Sequence, residues 1–176
     1  MEVSWRIIRD EGTDALTLGH LAEVAGVTKP VVYDHFGTRN GLLLALYRAY
    51  DDEHTAVMEA EIAASGEQLQ DKAAAIASAY VDCVLTQGAE ITDVIAALAG
   101  APELEAVKRA CLAIFMEKCR AHLAPFVAGD ISPAGLWAFI GAAEALSKAA
   151  AIGDIPPAIA KSELTAIILS MVERRS

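Results

Sequence analysis

Cations are scarce in this chain of 176 residues. Fourteen Lys and Arg stand against 24 Asp and Glu, a formal net charge of −10. That balance argues against a protein that coats nucleic acid non-specifically. Cysteine is scarce too: Cys83, Cys111 and Cys119 are odd in number and lack metal-ligand spacing. This excludes a disulfide framework and gives no metal site. The expectation is three reduced thiols in the core of a cytoplasmic protein, with a redox-sensing role for one of them as the alternative. No apolar run reaches the ~18 residues that a membrane-spanning helix needs, and no signal-peptide pattern opens the chain. Local catalytic signatures are missing as well: no Ser/His/Asp grouping, Gly-rich phosphate loop or paired-carboxylate motif stands out. The chain reads as a non-enzyme without a cofactor.

What is present is helix. Hydrophobic residues make up 55 % of the chain, and they recur at helical spacing with no credible strand. The length suits one substantial core plus a small appended module. The spacing predicts a helix over about 3–11, two short helices between Thr17 and Phe36, and a long one over 39–64. Others follow near 67–87, 90–99, 103–123, 133–152 and 157–174. Ser65-Gly66, Gly88, Gly100-Ala101-Pro102, Pro125 and the Gly153–Pro157 segment separate them. The fold class is therefore all-α with about nine helices and no internal repeat. It divides into residues 1–48 and residues 49–176.

Residues 16–43, LTLGHLAEVAGVTKPVVYDHFGTRNGLL, carry the functional signal. Thr17 suits an N-cap, and Leu18, Leu21, Ala22 and Ala25 recur on one helical face. Gly26 can adopt the left-handed conformation that ends this helix, with Val27 expected to be buried in the turn. Thr28 can cap the next helix, and Pro30 falls in its first turn, where a missing N–H costs little. Val31, Val32, Tyr33 and Phe36 continue that helix. Two turns of helix are marginal alone, so Val3, Ile7 and Ile8 of the first helix are expected to support it. Together these make a helix-turn-helix whose second helix enters the major groove. Thr28, Lys29 and Val31 lie where base edges or thymine methyls would be met. Tyr33, His35 and Arg39 lie where phosphate contacts would fix register, and Thr17 joins them among the expected DNA-binding residues. The competing reading is a plain three-helix core in which Tyr33 and Phe36 simply pack.

The segment GTDALTLGHLAEVAGVTKPVVYDHFGTRNGLL resembles the DNA-binding domain of the TetR family of bacterial transcriptional regulators. The matching features are Gly12, Thr17, Ala22, Ala25-Gly26-Val27, Thr28 and the Tyr33-x-His35-Phe36 run. Arg39 stands where the family often has Lys, and Leu42-Leu43 follow. The resemblance covers residues 1 to about 48, and beyond it only the helical layout compares. It implies a ligand-responsive regulator, usually a repressor, binding palindromic operator DNA as a homodimer and released by a small-molecule effector. The family's first helix normally opens before the position of Met1, often after a short basic arm, so the start of the protein is expected to lie upstream. Residues 1–50 carry five Lys and Arg against six Asp and Glu. A strongly basic footprint is thus missing, and affinity must come from a few well-placed cations doubled by dimerisation.

The resemblance also assigns roles to the remaining helices. Residues 136–152 are apolar nearly all round, with Gly141, Ala145 and Ala149 as a stripe of small residues. Ile159, Leu164, Ile167, Ile168 and Met171 give the last helix an apolar face. These two helices would pair with their symmetry mates in a four-helix dimer interface, unless they merely close the monomer's own core. The middle helices would enclose the effector site. Its candidate lining residues are Met58, Tyr80, Phe115, Trp137 and Phe139, with Cys83 and Met116 beside them and His54, His122 or Glu144 as polar anchors. A small-molecule binding protein of the same fold without DNA binding is the alternative; an all-helical enzyme is less favoured.

Overall fold

The computed structural model describes residues 1–86, 88–127 and 129–174, and these residues contain nine α-helices, two 3₁₀ turns and no strand. The helices are α1 (Glu2–Glu11), α2 (Leu18–Ala25), α3 (Lys29–Phe36), α4 (Arg39–Ala64) and α5 (Leu69–Leu85). Then come α6 (Ala89–Ala97), α7 (Pro102–Leu123), α8 (Pro133–Ala151) and α9 (Pro157–Glu173). The all-α expectation holds, and the long helix has the limits its pattern predicts. The expected end of the fifth helix at position 87 lies outside the described residues. Among the described residues no helix is long and apolar enough to cross a membrane.

The chain forms two compact units. The first comprises Met1–Glu53 and Gln87–Cys111. Its core joins Ile7 and Ile8 of α1, Leu18, Leu21 and Ala22 of α2, Val32 of α3 and Leu42, Leu43 and Leu46 of α4. Ile91 and Val94 of α6, Leu98 just after it and Leu104 of α7 complete it. The buried side chains of α6 and early α7 belong to the core of the N-terminal helices, and Arg9 of α1 donates from Nε to Glu90 Oε1 of α6 at 2.9 Å. Hydrogen bonding to Arg9, more than its charge, holds the Glu90 carboxyl below its ordinary range.

The second unit comprises His54–Thr86 and Leu112–Ser176. Here α5, α8 and α9 pack against one another. Its core takes Met58 and Ile62 from α4, Ile76, Ala77 and Val81 from α5, Phe115 and Cys119 from α7, Phe139 and Ile140 from α8, and Leu164 and Ile168 from α9. Four alanines of α5 and α8 (Ala73, Ala77, Ala143, Ala150) belong to this core, and side chains this small let helices approach closely. Lys72 is buried, but its Nζ donates to the carbonyl oxygens of Ile62 at 3.0 Å and Ser65 at 3.4 Å. It satisfies the C-terminal end of α4, where helical carbonyls otherwise lack donors.

Candidate nucleic-acid interface

The helix-turn-helix is built from local signals that can be checked one at a time. Thr17 caps α2: its Oγ1 accepts from the His20 N–H at 3.1 Å. Gly26 ends α2 in the left-handed conformation (φ 67°, ψ 27°), and the Val27 N–H returns to the Ala22 carbonyl at 3.0 Å. The side chain of Val27 is not buried as expected but 44 % exposed. Its backbone N–H, rather than its side chain, serves the turn. Thr28 occupies the N-cap position of α3, yet its side chain makes no capping bond. Pro30 sits in the first turn of α3. A Cβ at Gly19 would meet Lys29 Cε at 3.9 Å, an ordinary contact, so the crossing does not depend on glycine there.

One residue of α3 anchors it. Val32 is buried in the core with Leu18, Leu21 and Ala22, and Phe36 packs against that cluster half-buried. The rest of the helix faces outward. Val31 is 57 % exposed and Tyr33 50 %, and Thr28, Lys29 and His35 are exposed too. The His35 and Phe36 rings meet edge-on at 4.5 Å. The reading in which Tyr33 belongs to a plain three-helix core is therefore not what the structure contains. A rigid short helix instead presents a cation, a hydroxyl, a β-branched side chain and an amphipathic aromatic to solvent.

Arg39 is placed differently from the other interface candidates. It is partly buried, with Nε donating to the Leu16 carbonyl at 2.9 Å and Nη2 to the Thr13 carbonyl at 2.7 Å. Asp14 Oδ1 lies 3.7 Å from Nη2. The guanidinium ties the start of α4 to the segment before α2, so much of its donor capacity is already committed. Thr17, Thr28, Lys29, Val31, Tyr33 and His35 remain accessible for contacts.

In the second unit, Met58, Tyr80, Phe115 and Phe139 all join or pack against one hydrophobic cluster. The ring centroids of Tyr80 and Phe115 lie 5.6 Å apart, and those of Phe115 and Phe139 6.4 Å apart. The structure does not bring Trp137 to them: it stands 54 % exposed on the outer side of α8. On that side too are Gly141 and Ala145 of the small-residue stripe. Ile152 and Ile159 add exposed apolar surface at the α8–α9 connection. A cavity of about 310 Å³ opens at the start of α8 and the end of α9, bordered by Ile131, Ser132, Phe139, Ile167, Met171 and Arg174. Of the five candidate lining residues, Phe139 reaches it.

Residues 1–46 match the family model "Bacterial regulatory proteins, tetR family". The match covers α1 to α3 and the opening of α4, the segment whose outward face is described above. Among curated proteins, none matches the sequence. Solved structures match nearly the whole chain. A transcriptional regulator of the TetR/AcrR family from Thermobifida fusca is 20 % identical with a TM-score of 0.66, covering 99 % of this chain and 96 % of its own. A TetR-family transcriptional regulator from Streptomyces coelicolor is 20 % identical with a TM-score of 0.63, covering 97 % and 90 %. The fatty acid degradation regulator FadR from Bacillus halodurans is 11 % identical with a TM-score of 0.67, covering 99 % and 94 %. The fold is that of the TetR-family regulators.

Proposed function

We propose that this chain is a ligand-responsive transcriptional repressor that binds a palindromic operator as a homodimer and is released by a small-molecule effector. The observation that carries the reading is the outward face of α3. Lys29, Val31, Tyr33 and His35 are exposed on a helix anchored by Val32, inside a segment that matches the tetR family model. Lys29 and Val31 meet bases in the major groove, and Tyr33 and His35 fix register on phosphates. Arg39 acts chiefly by holding the unit's shape.

Dimerisation follows from the need to match a two-fold operator, whose half-sites lie about one helical turn, ~34 Å, apart. The exposed Trp137, Gly141, Ala145, Ile152 and Ile159 supply the isologous surface on α8 and α9. The effector enters the second unit, where aromatic and aliphatic side chains and a cavity of about 310 Å³ suit a small, largely apolar molecule. Release requires the effector to prefer the non-binding conformation, with ~1–3 kcal/mol of coupling as the usual scale. The protein works in the cytoplasm and catalyses no reaction.

The test is fluorescence anisotropy with DNA from upstream of its own gene, beside a scrambled duplex, at low and moderate salt. The reading predicts sequence-specific binding that weakens as salt rises. Equal binding to both duplexes, or none to either, would favour a small-molecule receptor without DNA function.

A further inference from the structure

Three thiols sit in three different surroundings. Cys119 is buried in the core of the second unit, and burial pushes its thiol up to about 12. Cys111 is half-buried, and burial, followed by the charge and hydrogen bond of Asp51, pushes it to about 12 as well. Thiols held neutral in this way are poor nucleophiles, because the thiolate is the reacting form. Cys83 differs. It is half-buried on α5, and its Sγ lies 3.3 Å from Nδ1 of His54 on α4. Packing assembles this pair from positions 29 residues apart. The carboxylate beside it in sequence, Asp82, is engaged by Lys161 Nζ at 2.7 Å, which offsets its charge. Among the described residues no group of three or more His, Cys, Asp or Glu could hold a metal ion, so the pair is not part of a larger ligand set.

We propose that Cys83 is a covalent modification site for soft electrophiles of the α,β-unsaturated carbonyl class, with His54 as the base that takes its proton during the addition. An imidazole at this distance is within reach to take the thiol proton as the sulfur attacks. The step is a conjugate addition. The sulfur lone pair forms a bond to the β-carbon, the carbon–carbon π pair moves toward the carbonyl, and the enolate takes back one proton at the α-carbon. The net reaction is an addition with no leaving group, oxidant or reductant. A half-buried sulfur admits a small planar reagent while the core thiol of Cys119 does not. This inference stands whether or not the chain binds DNA.

The experiment treats the folded full-length chain with limiting N-ethylmaleimide at pH 7 and maps adducts by peptide mass spectrometry over time. Cys83 is expected to react at least about tenfold faster than Cys111 or Cys119, and His54→Gln to slow Cys83 by about tenfold while leaving the other two unchanged. Comparable rates at Cys83 and the other thiols in the wild-type chain would overturn the proposal, and that comparison needs no variant. An unchanged Cys83 rate in a His54→Gln chain with native circular dichroism would overturn the role of His54. Cys83→Ser should abolish the fast phase.

Discussion

The Arg39 guanidinium donates through Nε to the Leu16 carbonyl at 2.9 Å, clamping the first turn of α4 to the residue before the cap of α2. Its second donor closes on the Thr13 carbonyl at 2.7 Å. One side chain 23 or more residues away thus donates to two carbonyls between α1 and α2. Arg39→Ala should destabilise the protein by about 1.5–3 kcal/mol, the usual scale for hydrogen bonds to a charged group. Lysine cannot reproduce the two-pronged geometry, so Arg39→Lys should recover only part of the loss. Urea unfolding monitored by Trp fluorescence and circular dichroism measures both.

Gly26 tests the turn between α2 and α3. Nothing lies within 4 Å of a Cβ built there, so substitution meets backbone strain and no clash. Gly26→Ala should cost about 1–2 kcal/mol from the left-handed conformation alone. Asn tolerates that conformation better, and Gly26→Asn should cost less. Thermal melts of the three chains give the order Gly, Asn, Ala; Ala equal to Gly would refute the assigned conformation.

Lys72 tests the second unit. Lys72→Met keeps most of the aliphatic stem and removes the donor to the Ile62 and Ser65 carbonyls. The Ile62 carbonyl keeps the Ser65 hydroxyl, which donates to it at 2.7 Å, so the loss should be about 1 kcal/mol, the scale of one hydrogen bond. An unaltered unfolding midpoint would mean that water satisfies these carbonyls.

The buried thiol of Cys119 predicts an alkaline weakness. Its pKa is raised from 9.0 to about 12 by burial. Above pH 9 the unfolded chain releases a proton that the folded chain keeps, so the unfolded state binds fewer protons and stability falls. The contribution is full below pH 9 and lost as pH rises toward 12, at up to about 1.4 kcal/mol per pH unit. Urea midpoints should decline more steeply above pH 9 in the wild type than in Cys119→Ala.

Much of this architecture is legible in the sequence, for identifiable reasons. The limits of α4 follow from Arg39 to Ala64 because Ser65-Gly66 interrupts a continuous periodic run, and those of α2 follow from Thr17 and Gly26. Long-range commitments are not legible. That Arg39 binds carbonyls of Thr13 and Leu16 depends on tertiary approach, and its charge alone points equally to phosphate. Val27 looks like a buried turn residue, but only its N–H is required. The membership of α6 in the first unit rests on where Ile91, Val94 and the following Leu98 point, which their apolar spacing leaves open. Trp137 is apolar by type and exposed by register, since its neighbours Leu136 and Phe139 take the inward positions of α8. Cys83 and His54 both stand out as candidate pocket residues, but their contact does not.

The interface candidates make the sharpest functional prediction. Lys29→Ala and Tyr33→Ala should each weaken specific DNA binding by about 1–3 kcal/mol, without altering the oligomeric state measured by sedimentation. Both side chains are exposed, so folding should be unaffected. Val32→Ala, by contrast, should lower stability because Val32 is the buried anchor of α3.

The most direct measurement of the central claim is in vitro selection of binding sites from a pool of random-sequence duplex DNA. The account predicts enrichment of one two-fold symmetric motif with half-sites about one helical turn apart, and its disappearance when the Lys29→Ala/Tyr33→Ala chain is used. A pool that stays random after repeated rounds, or a motif enriched equally by that double variant, would contradict it.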